Sequence, residues 1–443
     1  MSIQLSDHFD YGKLLRFTMP TIVMMIFTSV YGVVDGLFVS NFVGTTAFAG
    51  VNLILPFLTI LGAIGFMIGT GGSALVAKTM GQNNYKKANG LFSMLIYLTV
   101  FLGIIFAVPG IIFLRPIAQQ LGAQGDMIEV CVIYGRIYLA AMPAFMLQYV
   151  FQSFLVTAEK PKLGLAVTVV AGVANMVLDA LFMAVFQWGV AGAALATAIS
   201  QALGGGIPLV YFIISKKSPL RLGKPLWSGK ALMQACTNGS SELMTNISGN
   251  IVNILFNFRL MQLAGEKGVS AYGVIMYINF IFTAVFLGYS IGMAPIVGFH
   301  YGAENHIELK NLLRKSMTII AALSVILTGA AELLARPLAS IFVGYDPELL
   351  SMSSHAFMIY AIMFLFCGFN IYASSFFTAL NNGLISAAIS FVRTLVFQIV
   401  CVLVMSTLFA LDGIWWSVVM AELLSLVVTV VCLLIFKDKY HYA

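Results

Sequence analysis

The heptapeptide Lys78-Thr-Met-Gly-Gln-Asn-Asn84 has a counterpart in Phe299-His-Tyr-Gly-Ala-Glu-Asn305, which lies 221 residues further along the chain. A second match, at a shift of 222, pairs residues 153–158 with residues 375–380. The repeat predicts two homologous halves that arose by duplication. Further identical residues at the shift of 221 are Ile54 with Ile275, Gly71 with Gly292, Val76 with Val297, and Leu91 with Leu312.

The longest polar connection separates the two halves and reads Ser215-Lys-Lys-Ser-Pro-Leu-Arg-Leu-Gly-Lys-Pro-Leu-Trp-Ser-Gly-Lys230. Its content of Lys, Pro and Gly is typical of an exposed linker. We therefore expect an N-terminal lobe over residues 1–215, a cytoplasmic linker over residues 216–230 and a C-terminal lobe over residues 231–443.

Hydrophobic residues make up 60% of the 443-residue chain and charged residues only 9%. Globular domains carry roughly 25% charged residues because their surface faces water, so most of this chain's surface must face lipid. A helix needs about 20 apolar residues to cross a bilayer, and about twelve such segments fit here. The sequence thus predicts an all-α membrane protein with six helices in each lobe. The expected spans are residues 14–40, 50–78, 88–114, 129–158, 163–186, 189–215, 231–262, 269–299, 311–335, 349–380, 384–409 and 412–436.

The basic residues behind the net charge of +6 are distributed by loop and are not clustered on one face. Nucleic acid is therefore not an expected partner. Seventeen Lys and Arg residues fall on the side of the even-numbered loops and five on the opposite side. By the positive-inside rule, we expect a multi-pass protein of the plasma (inner) membrane with both termini in the cytoplasm.

Motifs for common enzyme chemistries are missing from the sequence. It contains no GxxxxGK[ST] phosphate-binding loop and no HExxH or GxSxG motif, so neither ATP hydrolysis nor the commoner membrane enzymes are indicated. The five cysteines are scattered singly, without metal-binding spacing. We expect no enzyme activity and no cofactor. Parallel repeats are instead typical of transporters that work by alternating access.

Ionisable side chains inside a bilayer are costly, so each one is a candidate functional residue. Asp35 in the first span and Asp179 in the fifth both fall in the outer half of the membrane, counting about 1.5 Å per residue from the cytoplasmic end. Asn175 lies one turn before Asp179 and shares its helical face. Two acids in low dielectric cannot both ionise cheaply unless a cation lies between them. We therefore expect Asp35, Asn175 and Asp179 to bind a proton or Na⁺.

Glu242, Arg393 and Glu422 are secondary candidates. Glu242 falls near the cytoplasmic start of the seventh span, where the helix dipole or lipid headgroups favour an acid. Arg393 either extends toward the cytoplasm or pairs with an acid in the bundle, and Glu422 is the candidate partner. Pro20 removes a backbone hydrogen bond in the middle of the first span and is expected to bend it, either as a hinge or as a static kink.

Together these features resemble the multidrug and toxic-compound extrusion (MATE) family over residues 14–436. The resemblance implies a V-shaped pair of six-helix lobes that exports mostly cationic, amphipathic compounds in exchange for H⁺ or Na⁺. The segments that carry it are Pro20 with Val34-Asp35-Gly36, Gly81-Gln-Asn-Asn84 and its copy Gly302-Ala-Glu-Asn305, Phe151-Gln-Ser-Phe154 followed by Glu159-Lys-Pro161, Asn175-Met-Val-Leu-Asp179, and Gly189-Val-Ala-Gly-Ala193.

The resemblance also implies residue roles. The family's N-lobe cation site uses an acid in the first helix and an Asn-xxx-Asp pair in the fifth, and Asp35, Asn175 and Asp179 stand at those places. Cation binding would compete with drug binding and be coupled to bending at Pro20. The substrate cavity of that lobe would be lined by Tyr31, Tyr134, Gln152 and Thr197.

The C-lobe departs from the family pattern. Some branches carry an acid deep in the seventh helix and another in the tenth, whereas Glu242 comes early and Phe366-Cys-Gly-Phe-Asn370 contains no acid. The ligands of a C-lobe cation site are therefore missing from their usual places.

Two other functions remain open at this stage. A lipid-linked oligosaccharide or lipid flippase of a related superfamily shares the two-lobe plan but usually has a more basic cavity, and only Arg393 is an evident basic residue inside the membrane here. A receptor or channel would leave the repeat and the paired acids without a role. We expect a monomer in the lipid bilayer whose substrates are small amphipathic cations.

Overall fold

The computed structural model describes residues 3–215 and 218–442, and over these ranges it is helical without any β-strand. Eight helices are long and apolar enough to cross a membrane, and two bent helix pairs add two further spans. Two of the eight are each divided by residues with non-helical backbone angles. The described chain therefore contains twelve spans, which confirms the expected all-α membrane fold.

We number the spans α1–α12, with α1–α6 forming the N-lobe and α7–α12 the C-lobe. The N-lobe helices are α1 (Tyr11–Phe42), α2 (Thr45–Gly81), α3 (Tyr85–Gln120), α4 (Asp126–Ala140 with Met142–Thr157), α5 (Pro161–Val185) and α6 (Gly189–Ile214). In the C-lobe, α7 and α8 divide Gly229–Gly302 at Gly265, α9 is His306–Val343, α10 is Pro347–Ala361 with Phe364–Ala379, and α11 and α12 divide Gly383–Tyr440 at Ala410.

The helices extend past most of the expected spans. The clearest case is α9, which begins five residues before the expected residue 311 and ends eight residues after residue 335. Its first turn is polar and is capped by the Asn305 side chain, which accepts a hydrogen bond from the Glu308 amide. Hydropathy marks only the part of a helix that lies in lipid, so such polar ends escape it.

Both lobes contain one bent span at equivalent places in the repeat. The two parts of α4 meet at Ala141 with a bend of 56°, and the two parts of α10 meet after Ala361 with a bend of 51°. The sequence analysis missed both bends, although Pro143 lies two residues after the break in α4; no proline lies at the break in α10.

Pro20 is the tenth residue of α1, which remains one continuous helix from Tyr11 to Phe42. It therefore lies in the third of α1 nearest the N-terminus and not in the middle of the span. The helix is continuous through this proline, and the bend expected there stays a prediction. The side chain of Pro20 lines a surface pocket together with Arg16 and Lys162.

Widened helical turns occur at two of the candidate residues. Residues 180–185 of α5 form such turns directly after Asp179, and residues 392–396 of α11 form them around Arg393. Such wide turns are rare and occur frequently at functional sites.

The first and last described residues lie at one end of the bundle, which we call the terminal face. The ring of Tyr440 packs against Tyr301, with 5.7 Å between the ring centroids. The carbonyl oxygen of Phe9 accepts a hydrogen bond from the Asn311 amide at 3.0 Å. We call the other end the opposite face.

The two lobes meet backbone to backbone at the terminal face. A Cβ placed on Gly81 would overlap the carbonyl oxygen of Phe299, and one on Gly302 would overlap that of Lys78. Residues 81 and 302 are equivalent in the repeat, as are residues 78 and 299, so the contact is symmetric across the two lobes. The ends of α2 and α8 therefore close the terminal face, and only glycine fits at the crossing.

Candidate functional site

Asp35 and Asp179 face each other inside the N-lobe, from α1 and α5 respectively. Asp179 is fully buried, whereas Asp35 is partly exposed and lies in front of it. Asn175, one turn before Asp179 on α5, is 2% exposed. The structure thus brings together the three residues that the sequence singled out.

These groups lack hydrogen bonds from the protein. Within residues 3–215 and 218–442, neither carboxylate oxygen of Asp179 has a hydrogen-bond partner, and the same holds for Oδ1 of Asp35 and Nδ2 of Asn175. Burying an ionised carboxylate without a partner costs at least several kcal/mol of free energy. The arrangement can hold a proton or a small cation between the two acids.

Tyrosine side chains surround the carboxylates. Tyr134 of α4 lies near both acids and also near Thr197 of α6. Tyr31, one turn before Asp35 on α1, lies near that acid and beside Gln148 of α4. Three of the four expected cavity residues therefore lie close to the acids or to Tyr134 beside them.

Gln152, the fourth expected cavity residue, lies between the helices of the N-lobe. Its side chain is 5% exposed and lines a small gap between α4, α5 and α6, next to Gly164 and Thr168. It follows Gln148 by one turn of α4, nearer the terminal face. Gln148 lines the same gap and also lies beside Tyr31, so the role of Gln152 in the substrate cavity of the N-lobe stays a prediction.

Several site residues were missed by the sequence analysis. Tyr138 lies near Tyr134, Tyr149 and Gln201, and Tyr149 also lies near Tyr31. The spacing offered a signal, because Tyr138 and Gln201 each follow an expected cavity residue by four positions and so share its helical face.

The C-lobe contains an internally neutralised acid. The Nε atom of Arg393 on α11 donates to both carboxylate oxygens of Glu422 on α12, at 2.9 Å each. Asn370 of α10 donates to Glu422 at 2.8 Å and accepts from Thr429 at 2.8 Å. The pairing of Arg393 with Glu422 is thus present, and the side chain of Arg393 does not extend toward the membrane surface.

Glu242 lies in a different environment from the one expected. It is the fourteenth residue of the helix that begins at Gly229, which places it about 20 Å from the helix start at about 1.5 Å per residue. Its side chain lines a cavity between the lobes together with Ser153 and Ser290. The assignment of Glu242 to the helix dipole or to lipid headgroups is therefore wrong. The expected span began at residue 231, only two residues after the helix start, so the depth of Glu242 could have been counted from the sequence.

Comparisons with known proteins agree with this architecture. The profile of the MatE family matches residues 20–181 and again residues 243–404, which confirms the internal duplication. The chain is 23% identical over 418 residues to the multidrug export protein MepA of Staphylococcus haemolyticus, covering 93% of this chain and 90% of that protein. It is 21% identical over 432 residues to the MepA protein of Staphylococcus aureus, covering 97% and 94%.

A solved structure has the same fold. It is described as the outward-facing conformation of a multidrug resistance MATE family transporter, and it superposes with a TM-score of 0.94 at 20% identity. The superposition covers 100% of this chain and 99% of that one. All twelve spans therefore have counterparts in a known transporter fold.

Proposed function

Because the chain belongs to the MatE family, we propose that it is a cation-coupled antiporter that exports amphipathic, mostly cationic drugs by alternating access. The relatives are named multidrug export proteins, which supports multidrug efflux as the general activity. The facing carboxylates of Asp35 and Asp179 carry the proposal of cation coupling.

The coupling follows from the electrostatics of this pair. Two neighbouring carboxylates that receive no hydrogen bond from the described protein groups are stabilised by one proton or by Na⁺. Carboxylate, amide and hydroxyl oxygens are the ligands that hard cations prefer. A cationic drug near Asp35 and an inorganic cation between the acids neutralise the same charge, so each lowers the affinity for the other.

The geometry supplies an order of events. Asp35 is partly exposed while Asp179 is buried behind it, so a cation that enters from the lobe interface meets Asp35 first. The terminal face is closed by α2 and α8, and we place it in the cytoplasm, where the excess of Lys and Arg belongs. In this conformation the site would then exchange with the external medium.

The charges at the lobe interface do not support the alternative that the protein is a flippase, which would need a basic cavity. Arg393, the basic residue expected inside the membrane, is neutralised by Glu422. The cavity between the lobes instead presents the carboxylate of Glu242. An acidic cavity favours cationic ligands over phosphate-bearing lipids.

The proposal is tested by ethidium efflux from vesicles that contain the purified protein, under an imposed pH gradient and separately under an imposed Na⁺ gradient. We expect Asp35→Asn and Asp179→Asn each to reduce gradient-driven efflux at least tenfold, on the order of the loss seen when a charged partner is removed. The matched control is Asp126→Asn, at an exposed acid of the opposite face. Normal export by both site variants would exclude this pair as the coupling site.

A further inference from the structure

A second polar cavity lies between the two lobes, separate from the carboxylate pair. It is small, with a volume of about 30 Å³, enough for a cationic head group and not for a whole drug, and α2, α4, α7, α8 and α10 all contribute to it. Its polar lining includes Thr70, Ser73 and Ser153 from the N-lobe and Glu242, Ser290 and Ser375 from the C-lobe.

Most of these hydroxyl groups donate their proton in a hydrogen bond to a backbone carbonyl oxygen. Thr70 donates to the carbonyl oxygen of Phe66 at 3.0 Å, Ser73 to that of Thr70 at 2.9 Å, and Ser375 to that of Ser290 at 3.3 Å. A hydroxyl that donates to the backbone retains only its oxygen lone pairs for a ligand. These three groups therefore present hydrogen-bond acceptors.

Ser153, Ser290 and Glu242 supply further oxygen atoms that can accept a hydrogen bond. Ser153 and Ser290 are each 3% exposed, and within the described residues their hydroxyl oxygens have no hydrogen-bond partner. The carboxylate of Glu242 forms no ion pair among the salt bridges of residues 3–215 and 218–442, and the charged group nearest to it in the C-lobe, Arg393, is held by Glu422. An ionised carboxylate only accepts hydrogen bonds. Buried polar groups without partners inside a cavity indicate a ligand that supplies them.

We propose that this cavity binds a primary ammonium or amidinium group of the exported substrate, with Glu242 neutralising its charge and the surrounding hydroxyl oxygens accepting its N–H bonds. The inference deepens the proposed export function and rests on it. It assigns a substrate class to the lobe interface that the N-lobe carboxylates alone do not define.

The chemistry separates this class from quaternary ammonium compounds. A primary ammonium has three N–H donors, whereas a quaternary nitrogen has none and is recognised mainly by aromatic faces. Phe66 is the one aromatic side chain among the described residues that line the cavity. A site rich in acceptors and poor in aromatic rings favours the donor-rich cation.

The test measures binding of monodansylcadaverine, which has a primary amine, and of its N-trimethyl derivative to the full-length protein in detergent by fluorescence titration. We expect the wild-type protein to bind the primary amine about tenfold more tightly, since hydrogen bonds to a charged group are worth roughly 1.5–3 kcal/mol. Glu242→Gln is expected to weaken binding of the primary amine about tenfold or more. Ser153→Ala with Ser290→Ala is expected to bring the two affinities close together.

Glu266→Gln, at an exposed acid near the start of α8, is the matched control and leaves both affinities unchanged. Equal wild-type affinity for the two probes would overturn the inference, and so would unaltered binding of the primary amine by Glu242→Gln. The binding readout is independent of ion gradients. Loss of gradient-driven efflux with an intact amine preference would count against the antiport function alone.

Discussion

Each lobe contains a buried acid, and the two lobes neutralise it differently. In the C-lobe, Glu422 is 3% exposed and is paired with Arg393, whose side chain is 13% exposed. In the N-lobe, both oxygens of Asp179 lack a partner within the described residues. A fixed guanidinium is always charged, so the C-lobe acid has no need of an exchangeable cation. Glu422 is therefore not expected to exchange a cation, in contrast to the acid pair of the N-lobe.

We expect Arg393→Gln to destabilise the protein by about 3–5 kcal/mol, because it leaves a buried charge without its partner. The double variant Arg393→Gln with Glu422→Gln is expected to regain most of this loss. Thermal unfolding in detergent, followed by size-exclusion chromatography, measures both effects. Arg336→Gln, at an exposed position, is the control. An unchanged melting temperature for Arg393→Gln would mean that Glu422 is neutralised by something other than Arg393.

At the level of elements, the short segment before α1 connects the two lobes at the terminal face. The amide of Leu5 donates to Glu159 at 2.8 Å, between α4 and α5. The amide of Phe9 donates to Glu308 at 2.9 Å, in the first turn of α9. Leu5 and Phe9 are both fully buried. The segment therefore has to release one of its two acids if the lobes separate at this face.

Glu308→Gln is expected to loosen this segment, because the carboxylate accepts the Phe9 amide and contacts the His8 ring nitrogen at 2.6 Å. Since a hydrogen bond to a charged group is worth roughly 1.5–3 kcal/mol, amide hydrogen exchange over residues 5–9 should become about tenfold faster or more. Glu304→Gln, an exposed acid in the neighbouring turn, serves as the control. Unaltered exchange in the Glu308 variant would show that apolar burial alone holds the segment.

The sequence predicted the number and order of the spans because hydropathy and length decide them locally. It also predicted that Asp35 and Asp179 meet, because both are acids at similar depth in apolar helices. It could not place Glu242 at the cavity between the lobes, since the face that a side chain presents depends on helix rotation. The bend in α10 has no proline at its break, whereas Pro143 beside the break in α4 was an available sequence signal.

At the level of the whole molecule, the closed state depends on helices that cross at small residues. Gly71 on α2 and Gly239 on α7 meet through their backbones, and Gly81 and Gly302 do the same at the ends of α2 and α8. Small residues let helix backbones approach closely, which increases van der Waals contact where lipid offers no hydrophobic driving force. This seam between the lobes keeps the terminal face shut.

We expect Gly302→Val to open the terminal face, because its Cβ would overlap the backbone of Lys78, and overpacking of this kind costs about 1–3 kcal/mol or more. Spin labels on cysteines introduced at Lys86 and Lys310, one in each lobe, should show a longer distance by pulsed electron resonance. Gly206→Val is the matched control, since a Cβ there meets no atom within 4 Å. The same distance distribution in Gly302→Val and in the wild-type protein would rule out this seam as the closure.

The symmetric glycine seam has a consequence for the resting preference of the carrier. The repeats are related by an axis along the bilayer normal, so symmetry exchanges one lobe for the other but never exchanges the inner leaflet for the outer leaflet. Symmetry therefore generates no equivalent glycine seam on the other side of the membrane. The inward-open and outward-open states are stabilised by different contacts. A single methyl group added at residue 81 or 302 can thus shift the equilibrium between the two access states of the empty transporter. It does so without altering any residue that binds the substrate.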